Sequence, residues 1–505
     1  MKEIARLFLT LLIGCFCYTN IAAQTFHGLV QYRNAFQPVQ LDCESDTCAL
    51  QLPHLEGAKT YLVSGNPLSG ENWQFTKEIE EWRFQTVYRD QVIRGRLFIN
   101  GLSQELILYE SLSEPEPEEF DSFTGVYRDE DGRNILFYKG NRSVRMISPY
   151  SEQTLSLRKI KSDRFWADSG EQLCFEDQKA RHFQSLRIIN RDGGERRAEY
   201  FEAYDIEEVW IPVGLDTLYG KLYLSRSNEP APACVVLPGG GSAGLANYEY
   251  EARFFAAYGL ASLVFNKSGE GKSKGPGNFR LQSFEEKTDQ YLAVFQYLQN
   301  RPEIDPDRVG VHGPSEGARL ALMMAIDTPG EVAFVNAVAG PLMTLREGQL
   351  YAMGHYHRNL GVKEVDNLSI QQIWNDYYDG ILAGSIDTAI IEGANRYRHV
   401  NERVFLPPNT TQIPGAPVAE DIENDRVIQQ AEKIRCPVLL QYGENDQRVN
   451  PYHSIRNFRK AKAPGTSLDI ILYPRGNHSM MTPAYQICTG YVHDKVDWLR
   501  KIGIL

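Results

Sequence analysis

From Gln24 onward the apolar positions follow two rhythms, and the change between them lies near residue 205. Before it, short aromatic and β-branched runs are divided by turn residues. Trp82-Arg83-Phe84-Gln85-Thr86-Val87-Tyr88 alternates imperfectly, and Val92 to Ile99 runs into Asn100-Gly101, a hairpin dipeptide. This pattern predicts an antiparallel β unit over residues 24–112. Residues 113–119, Ser-Glu-Pro-Glu-Pro-Glu-Glu, are acidic and proline-rich and predict an extended, self-repelling linker. A second β-rich unit follows over 120–205, with Asp131-Gly132 and Asp192-Gly193 as turns and alternation through Asn134-Ile135-Leu136-Phe137-Tyr138. Neither unit carries a catalytic constellation, so both read as packing or substrate-shaping appendages.

Over 206–505 strands alternate with helices. Residues 209–213 and 217–224 predict a hairpin, and 234–237, 261–265, 309–312, 332–338, 437–442 and 468–473 are short apolar runs. Helical patterns separate most of them. Ser283-Phe284-Glu285-Glu286 is a capping box, followed by Tyr291, Leu292, Phe295 and Leu298 on one face. Buried apolar strands divided by amphipathic helices predict an α/β fold with a mostly parallel, doubly wound sheet. Residues 341–435 break the rhythm with helical stretches and the loop Leu406-Pro407-Pro408-Asn409-Thr410-Thr411. They predict a helical cap inserted over the carboxyl ends of the strands.

Composition narrows the function. The 505 residues are 42% hydrophobic and 23% charged, with a formal charge of -12. An acidic chain without a basic block lacks the footprint that a phosphate backbone demands, which argues against nucleic acid and anionic lipid as partners. Inside the chain no apolar run approaches the ~20 residues of a membrane span. Residues 1–23 read as a signal peptide: Lys2 and Arg6, then an apolar stretch over 7–18, then Ala22-Ala23-Gln24. Leu12-Ile13-Gly14-Cys15 also has the look of a lipobox, which would place a lipid anchor on Cys15. Both readings predict an exported protein, periplasmic or extracellular. Cys43 and Cys48 have the spacing of a hairpin disulfide in an oxidising compartment; a zinc site would need ligands that are not nearby. Cys174, Cys234, Cys436 and Cys488 are scattered and read as buried side chains.

One motif carries chemistry. The strand around Val309–His312 ends in Gly313-Pro314-Ser315-Glu316-Gly317, and Ala318 to Ala325 then reads as a helix. A G-x-S-x-G turn between strand and helix lifts the serine clear of the sheet and sets it at a helix N-terminus, whose field favours a developing oxyanion. A serine hydroxyl needs a base, and the base an orienting carboxylate. After the strand at 437–442 comes Gly443-Glu444-Asn445-Asp446, and after the strand at 468–473 comes Pro474-Arg475-Gly476-Asn477-His478. Asp446 is the predicted acid, with Glu444 as competitor, and His478 is the predicted base. Oxyanion donors are expected from the Glu316 N–H and from Leu237-Pro238-Gly239-Gly240-Gly241-Ser242, with Gly240 first and Gly241 next. His312 reads as a satisfied core residue, and His453 and His493 as surface residues. Gly269-Glu270-Gly271-Lys272-Ser273 mimics a phosphate loop, but Asn266 stands where its first glycine belongs. His355-Tyr356-His357 reads as a surface pair, without further metal ligands close by.

Together these motifs resemble the α/β-hydrolase fold over about residues 207–505. They are most similar to exported bacterial carboxylesterase-like serine hydrolases with an extra N-terminal β domain. Gly239-Gly240-Gly241, Gly269-Glu270-Gly271-Lys272-Ser273, the Ser315 elbow, Gly443-Glu444-Asn445-Asp446 and Asn477-His478 carry the likeness. Pro238 and Pro314 depart from it where histidine is usual. The resemblance implies a Ser315–Asp446–His478 triad acting through an acyl-enzyme on a small carboxylic ester, with no metal or organic cofactor. Two rivals stand: a serine peptidase of the prolyl-oligopeptidase or aminopeptidase type, and a non-catalytic binding protein on a hydrolase scaffold.

Overall fold

A computed structural model describes residues 23–505 except 33–34, 45–46, 53–59, 70–71, 78–79, 100–101, 113–118, 140–143, 151–153, 180–181, 191, 228, 243, 399–403, 413–421 and 483–485. The signal peptide, Cys15, the Asn100-Gly101 turn and nearly all of the acidic linker therefore lie outside the described residues. Two compact units are distinguished, one holding residues up to 146 with 155–200, the other 147–154 with 201–505.

In the first unit, strands β1 (Gln24–Tyr32), β2 (Ala35–Glu44), β3 (Thr47–Gln51), β4 (Thr60–Leu62), β5 (Trp73–Lys77), β6 (Glu80–Arg89), β7 (Val92–Ile99) and β8 (Leu102–Ser111) form one antiparallel sheet. Its order is β4-β3-β2-β1-β8-β7-β6-β5. A bridge between Ser64 and Gln74, with reciprocal bonds of 2.8 and 2.9 Å, brings its two ends together. Its core explains the imperfect alternation of β6. Trp82, Phe84 and Thr86 point inward while Val87 is exposed, because the Thr86 hydroxyl accepts a 2.8 Å bond from the Trp73 indole. Cys43 and Cys48 face each other across β2 and β3 and are joined as a disulfide, as their spacing predicts.

Strands β9 (Gly125–Asp129), β10 (Asn134–Lys139), β11 (Val144–Ile147), β12 (Thr154–Lys161), β13 (Arg164–Ala167), β14 (Gln172–Lys179), β15 (His182–Ile189) and β16 (Glu195–Phe201) close into a barrel. Buried aromatic rings fill it: Phe123, Tyr127, Phe137, Phe165, Phe175 and Phe183. Barrel closure is a long-range property that alternation in single strands does not encode.

The second unit holds β17 (Tyr204–Val213), β18 (Asp216–Ser225), β19 (Ala231–Val236), β20 (Ala261–Phe265), β21 (Ile304–Pro314), β22 (Val335–Val338), β23 (Val438–Gly443) and β24 (Leu468–Tyr473). The order is β17-β18-β20-β19-β21-β22-β23-β24. β18 is antiparallel to both neighbours and the remaining pairs are parallel. β19, β20, β22 and β23 are buried at every residue, so both faces of the sheet are covered and the strands read as unbroken apolar runs. The pairings Val236↔His312, Pro314↔Val338, Val338↔Gln441 and Gly443↔Tyr473 align the carboxyl ends of five strands. The loops that follow them emerge at one edge.

The principal helices are α1 (Glu249–Ala257), α2 (Phe284–Gln299), α3 (Glu316–Asp327), α4 (Leu345–Asn359), α5 (Glu364–Ala383), α6 (Thr388–Asn395), α7 (Arg426–Gln430), α8 (Pro451–Ala461) and α9 (His493–Lys501). α2 begins at the foreseen capping box on Ser283. α4, α5 and α6 fall within the predicted insertion, around a core of Met353, Ile370, Trp374, Tyr378 and Ile381.

Two histidine assignments are corrected. His357 is fully buried, where its ring meets Asn367 at 3.1 Å and accepts a 3.0 Å bond from the Phe405 N–H. His493 is half-buried at the start of α9, edge-on to Phe254. Both look polar in sequence, and what covers them comes from distant segments.

Candidate active site

The turn after β21 is built by steric necessity. Ser315 has φ 55 and ψ -118, a conformation costly for a residue with a Cβ. A Cβ on Gly313 would stand 2.5 Å from the Gly317 backbone, and one on Gly317 would stand 2.8 Å from the Pro238 carbonyl. Those two positions therefore require glycine. Ser315 is the N-cap of α3, yet its hydroxyl makes no capping bond. It lies 3.1 Å from His478 Nε2 instead.

His478 Nδ1 is 2.8 Å from Asp446 Oδ2. The other oxygen, Asp446 Oδ1, accepts the N–H groups of Arg448 (2.8 Å) and Val449 (2.9 Å), which locks the carboxylate's rotamer. Asp446 is buried, whereas Glu444 is exposed. The three loops thus bring Ser315, His478 and Asp446 into one hydrogen-bonded line, and Glu444 is not part of it.

Among the described residues, the N–H groups of Gly240 and Glu316 have no acceptor. The two residues adjoin: a Cβ on Gly240 would fall 2.9 Å from Glu316 Oε2. The Gly239 N–H is taken by the Tyr248 hydroxyl at 2.9 Å. Gly241 is exposed at the loop's far end.

Several residues around the site escaped sequence reasoning. Lys267, two residues after the end of β20, is fully buried and donates to the carbonyls of Gly239 (3.0 Å) and Gly241. Lys287 of α2 pairs with the Glu316 carboxylate at 2.9 Å. Along α4, residues spaced by four meet the segment that carries Asp446. Glu347 lies 3.4 Å from His453, Tyr351 donates a 2.7 Å bond to the Asp446 carbonyl, and Asn359 donates to Gln447 at 2.7 Å. His355, between them, stacks edge-on against Tyr351. A stripe at i, i+4, i+8 and i+12 is legible in a helix, but its partner is not. The phosphate-loop mimic has a structural role: the Asn266 side chain accepts the Leu245 N–H at 2.9 Å, and Ser273 bonds the Asn266 carbonyl at 3.0 Å.

Comparison with known proteins places this arrangement. Human dipeptidyl peptidase 8 is 32% identical over 157 residues, which is 29% of this chain but only 17% of that protein. A fungal protein from Arthrinium phaeospermum, thiohydrolase apmlB, is 31% identical over 239 residues, 47% of this chain and 73% of its own length. Among solved structures, hypothetical protein PA2218 from Pseudomonas aeruginosa superposes with a TM-score of 0.40 at 18% identity, covering 60% of this chain and 94% of its own. Residues 144–480 match the family described as X-Pro dipeptidyl-peptidase (S15 family). The chain is a serine hydrolase of the α/β-hydrolase type, and it belongs to the S15 peptidase family.

Proposed function

We propose that the protein hydrolyses carboxylic esters through a Ser315–His478–Asp446 triad. The observation that carries this reading is the continuous hydrogen-bonded line from Asp446 through His478 to the uncapped Ser315 hydroxyl. Ser315 attacks the acyl carbon as His478 Nε2 takes its proton, and Asp446 holds the imidazole in the tautomer that leaves Nε2 free to accept. The Gly240 and Glu316 N–H groups receive the oxyanion. His478 returns the proton to the leaving alcohol, and water activated by the same histidine releases the acid.

Preference for esters over peptides is supported by what the insertion's acidic residues do. A peptidase reading an amino terminus needs a carboxylate free to meet an ammonium in a closed pocket. Glu347 completes the cap of α4, Glu364 pairs with Arg358, Asp379 pairs with Arg346 and Asp376 accepts from Gln372, whereas the half-buried Asp366 of α5 has no side-chain partner among the described residues and is the first carboxylate to test on the peptidase reading. The fungal thiohydrolase likeness agrees with an acyl substrate bearing a good leaving group. The peptidase reading keeps one specific support, the family match itself and its echo in human dipeptidyl peptidase 8. Export belongs to the same proposal, on the basic and apolar start of the chain and on the Cys43–Cys48 disulfide.

One experiment tests both levels. A fluorophosphonate should label the wild type at Ser315 and leave a folded Ser315→Ala variant unlabelled. kcat/KM for short acyl p-nitrophenyl esters should exceed that for aminoacyl or prolyl anilides by at least about 100-fold, ~2.7 kcal/mol in barrier. Comparable or faster anilide cleavage makes the protein a peptidase.

A further inference from the structure

We propose that Lys267 is the positioning residue of the oxyanion hole, a buried cation that aims the Gly240 N–H by holding the carbonyl on the other side of the same peptide. The proposal rests on the reading of Gly240 as an oxyanion donor.

Three adjacent glycines, Gly239 to Gly241, have no side chains with which to stiffen a loop, and their backbone is the most conformationally free of any residue type. Preorganised donors are nevertheless what an oxyanion hole needs, because reorganising them during the reaction cancels their benefit. The structure supplies external restraints. The peptide between Pro238 and Gly239 is fixed by the Tyr248 hydroxyl on its N–H, at 2.9 Å. The peptide between Gly239 and Gly240 is fixed by Lys267 Nζ on its carbonyl, at 3.0 Å, and the peptide after Gly241 by the same ammonium. Because a trans peptide is planar, with C=O and N–H pointing oppositely, a clamp on the Gly239 oxygen sets the direction of the Gly240 N–H. That N–H has no acceptor among the described residues.

The clamp is also a charge in a costly place. Lys267 is fully buried, 3.7 Å from the Glu270 carboxylate and 3.8 Å from the centre of the Phe279 ring. Burial holds its ammonium below the ordinary lysine range. A cation on the carbonyl oxygen polarises the peptide and strengthens its N–H as a donor. A loop that needed only packing would be served by an apolar side chain, without the desolvation cost. The second donor is restrained differently: the Ser315 carbonyl, on the other side of the Glu316 N–H peptide, accepts the N–H groups of Ala318 (3.0 Å) and Arg319 (3.3 Å) in the first turn of α3. Only the glycine-loop donor thus needs a side chain to aim it, and Glu270 lies close enough to balance the Lys267 charge.

The test uses the full chain with Lys267→Met, which approximates the unbranched aliphatic stem and removes the charge and donors, and Lys267→Arg, which retains both. Active sites are counted by fluorophosphonate labelling at completion, so that kcat refers to labelled serine alone. KM and the affinity for a trifluoromethyl ketone, which adds to the serine as a tetrahedral oxyanion, are measured alongside. Lys267→Met should lower kcat per labelled site about 10²- to 10³-fold with KM within threefold. It should weaken the ketone by a similar factor, and Lys267→Arg should recover part of both. Unchanged kcat per labelled site, or a changed KM with ketone affinity intact, would make Lys267 a packing residue and overturn the proposal. Should Lys267→Met not fold, Lys267→Gln, which keeps a donor without the charge, is read by the same split. A wild type that is neither labelled at Ser315 nor active on esters defeats the parent reading instead, and the clamp with it.

Discussion

At the scale of single residues, two carboxylates separated by one position in the chain have opposite environments. Asp446 is buried and receives two backbone N–H bonds in addition to His478, while Glu444 projects from the same turn into solvent. Asp446→Asn keeps the shape but presents an amide to His478 Nδ1, favouring the tautomer in which Nε2 cannot accept the serine proton. kcat should fall about 10⁴-fold, while Glu444→Gln stays within a few fold of wild type. Steady-state rates on one activated ester, normalised to labelled serine, decide it; equal losses would return Glu444 to the mechanism. The elbow shows the same economy of sequence. Ser315 holds a positive φ because Gly313 and Gly317 let the strand, the helix and Pro238 close around it. This part of the site is legible in sequence because its backbone tolerates so few residue types.

At the scale of elements, legibility follows burial. β19, β20, β22 and β23 are apolar throughout because both of their faces are covered, so their positions can be read from the chain. The α2 capping box is readable for a local reason, since both of its partners lie within four residues. What escapes is polar side chains whose burial depends on a distant element. Lys267 follows a strand and looks like loop, and His357 looks exposed until Asn367 and the Phe405 N–H enclose it. One such group among the described residues joins α1, β21 and α9. Glu251 of α1 meets His312 Nε2 at 3.0 Å, Tyr491 at 3.0 Å and Lys495 of α9, all buried. Burial pushes the Glu251 carboxyl up, but Lys495 and His312 outweigh it and keep it ionised. Lys495→Met should therefore cost about 3–5 kcal/mol, because it strands a buried carboxylate. Glu251→Gln combined with Lys495→Met should cost less than Lys495→Met alone. Urea unfolding of the wild type and the two variants measures this, and a single-variant loss below ~1 kcal/mol would show that the pair does not hold α9 to α1.

At the scale of the whole molecule, the N-terminal unit carries its own acid sensitivity, and one histidine accounts for it. His27 of β1 is buried and stacked against Trp166 of β13, with ring centroids 6.2 Å apart. Desolvation, reinforced by the Arg158 charge, lowers its pKa from 6.5 to about 3. The unfolded chain binds a proton near pH 6.5, whereas the folded one refuses it until about pH 3. The stability that the neutral ring contributes is complete above 6.5. It is lost progressively as pH falls toward 3, with a slope of up to ~1.4 kcal/mol per pH unit. His27→Phe keeps a ring against Trp166 and removes the titration, so across this window its stability should fall with a slope smaller by about one proton. Hydrogen exchange in peptides covering β1, corrected for intrinsic rates and compared between pH 7 and pH 5, isolates this strand from the hydrolase unit. Protection in the wild type should drop on acidification, and protection in His27→Phe should drop less. Equal losses in the two proteins would assign the acid sensitivity to other groups and leave His27 as an ordinary filler of the core.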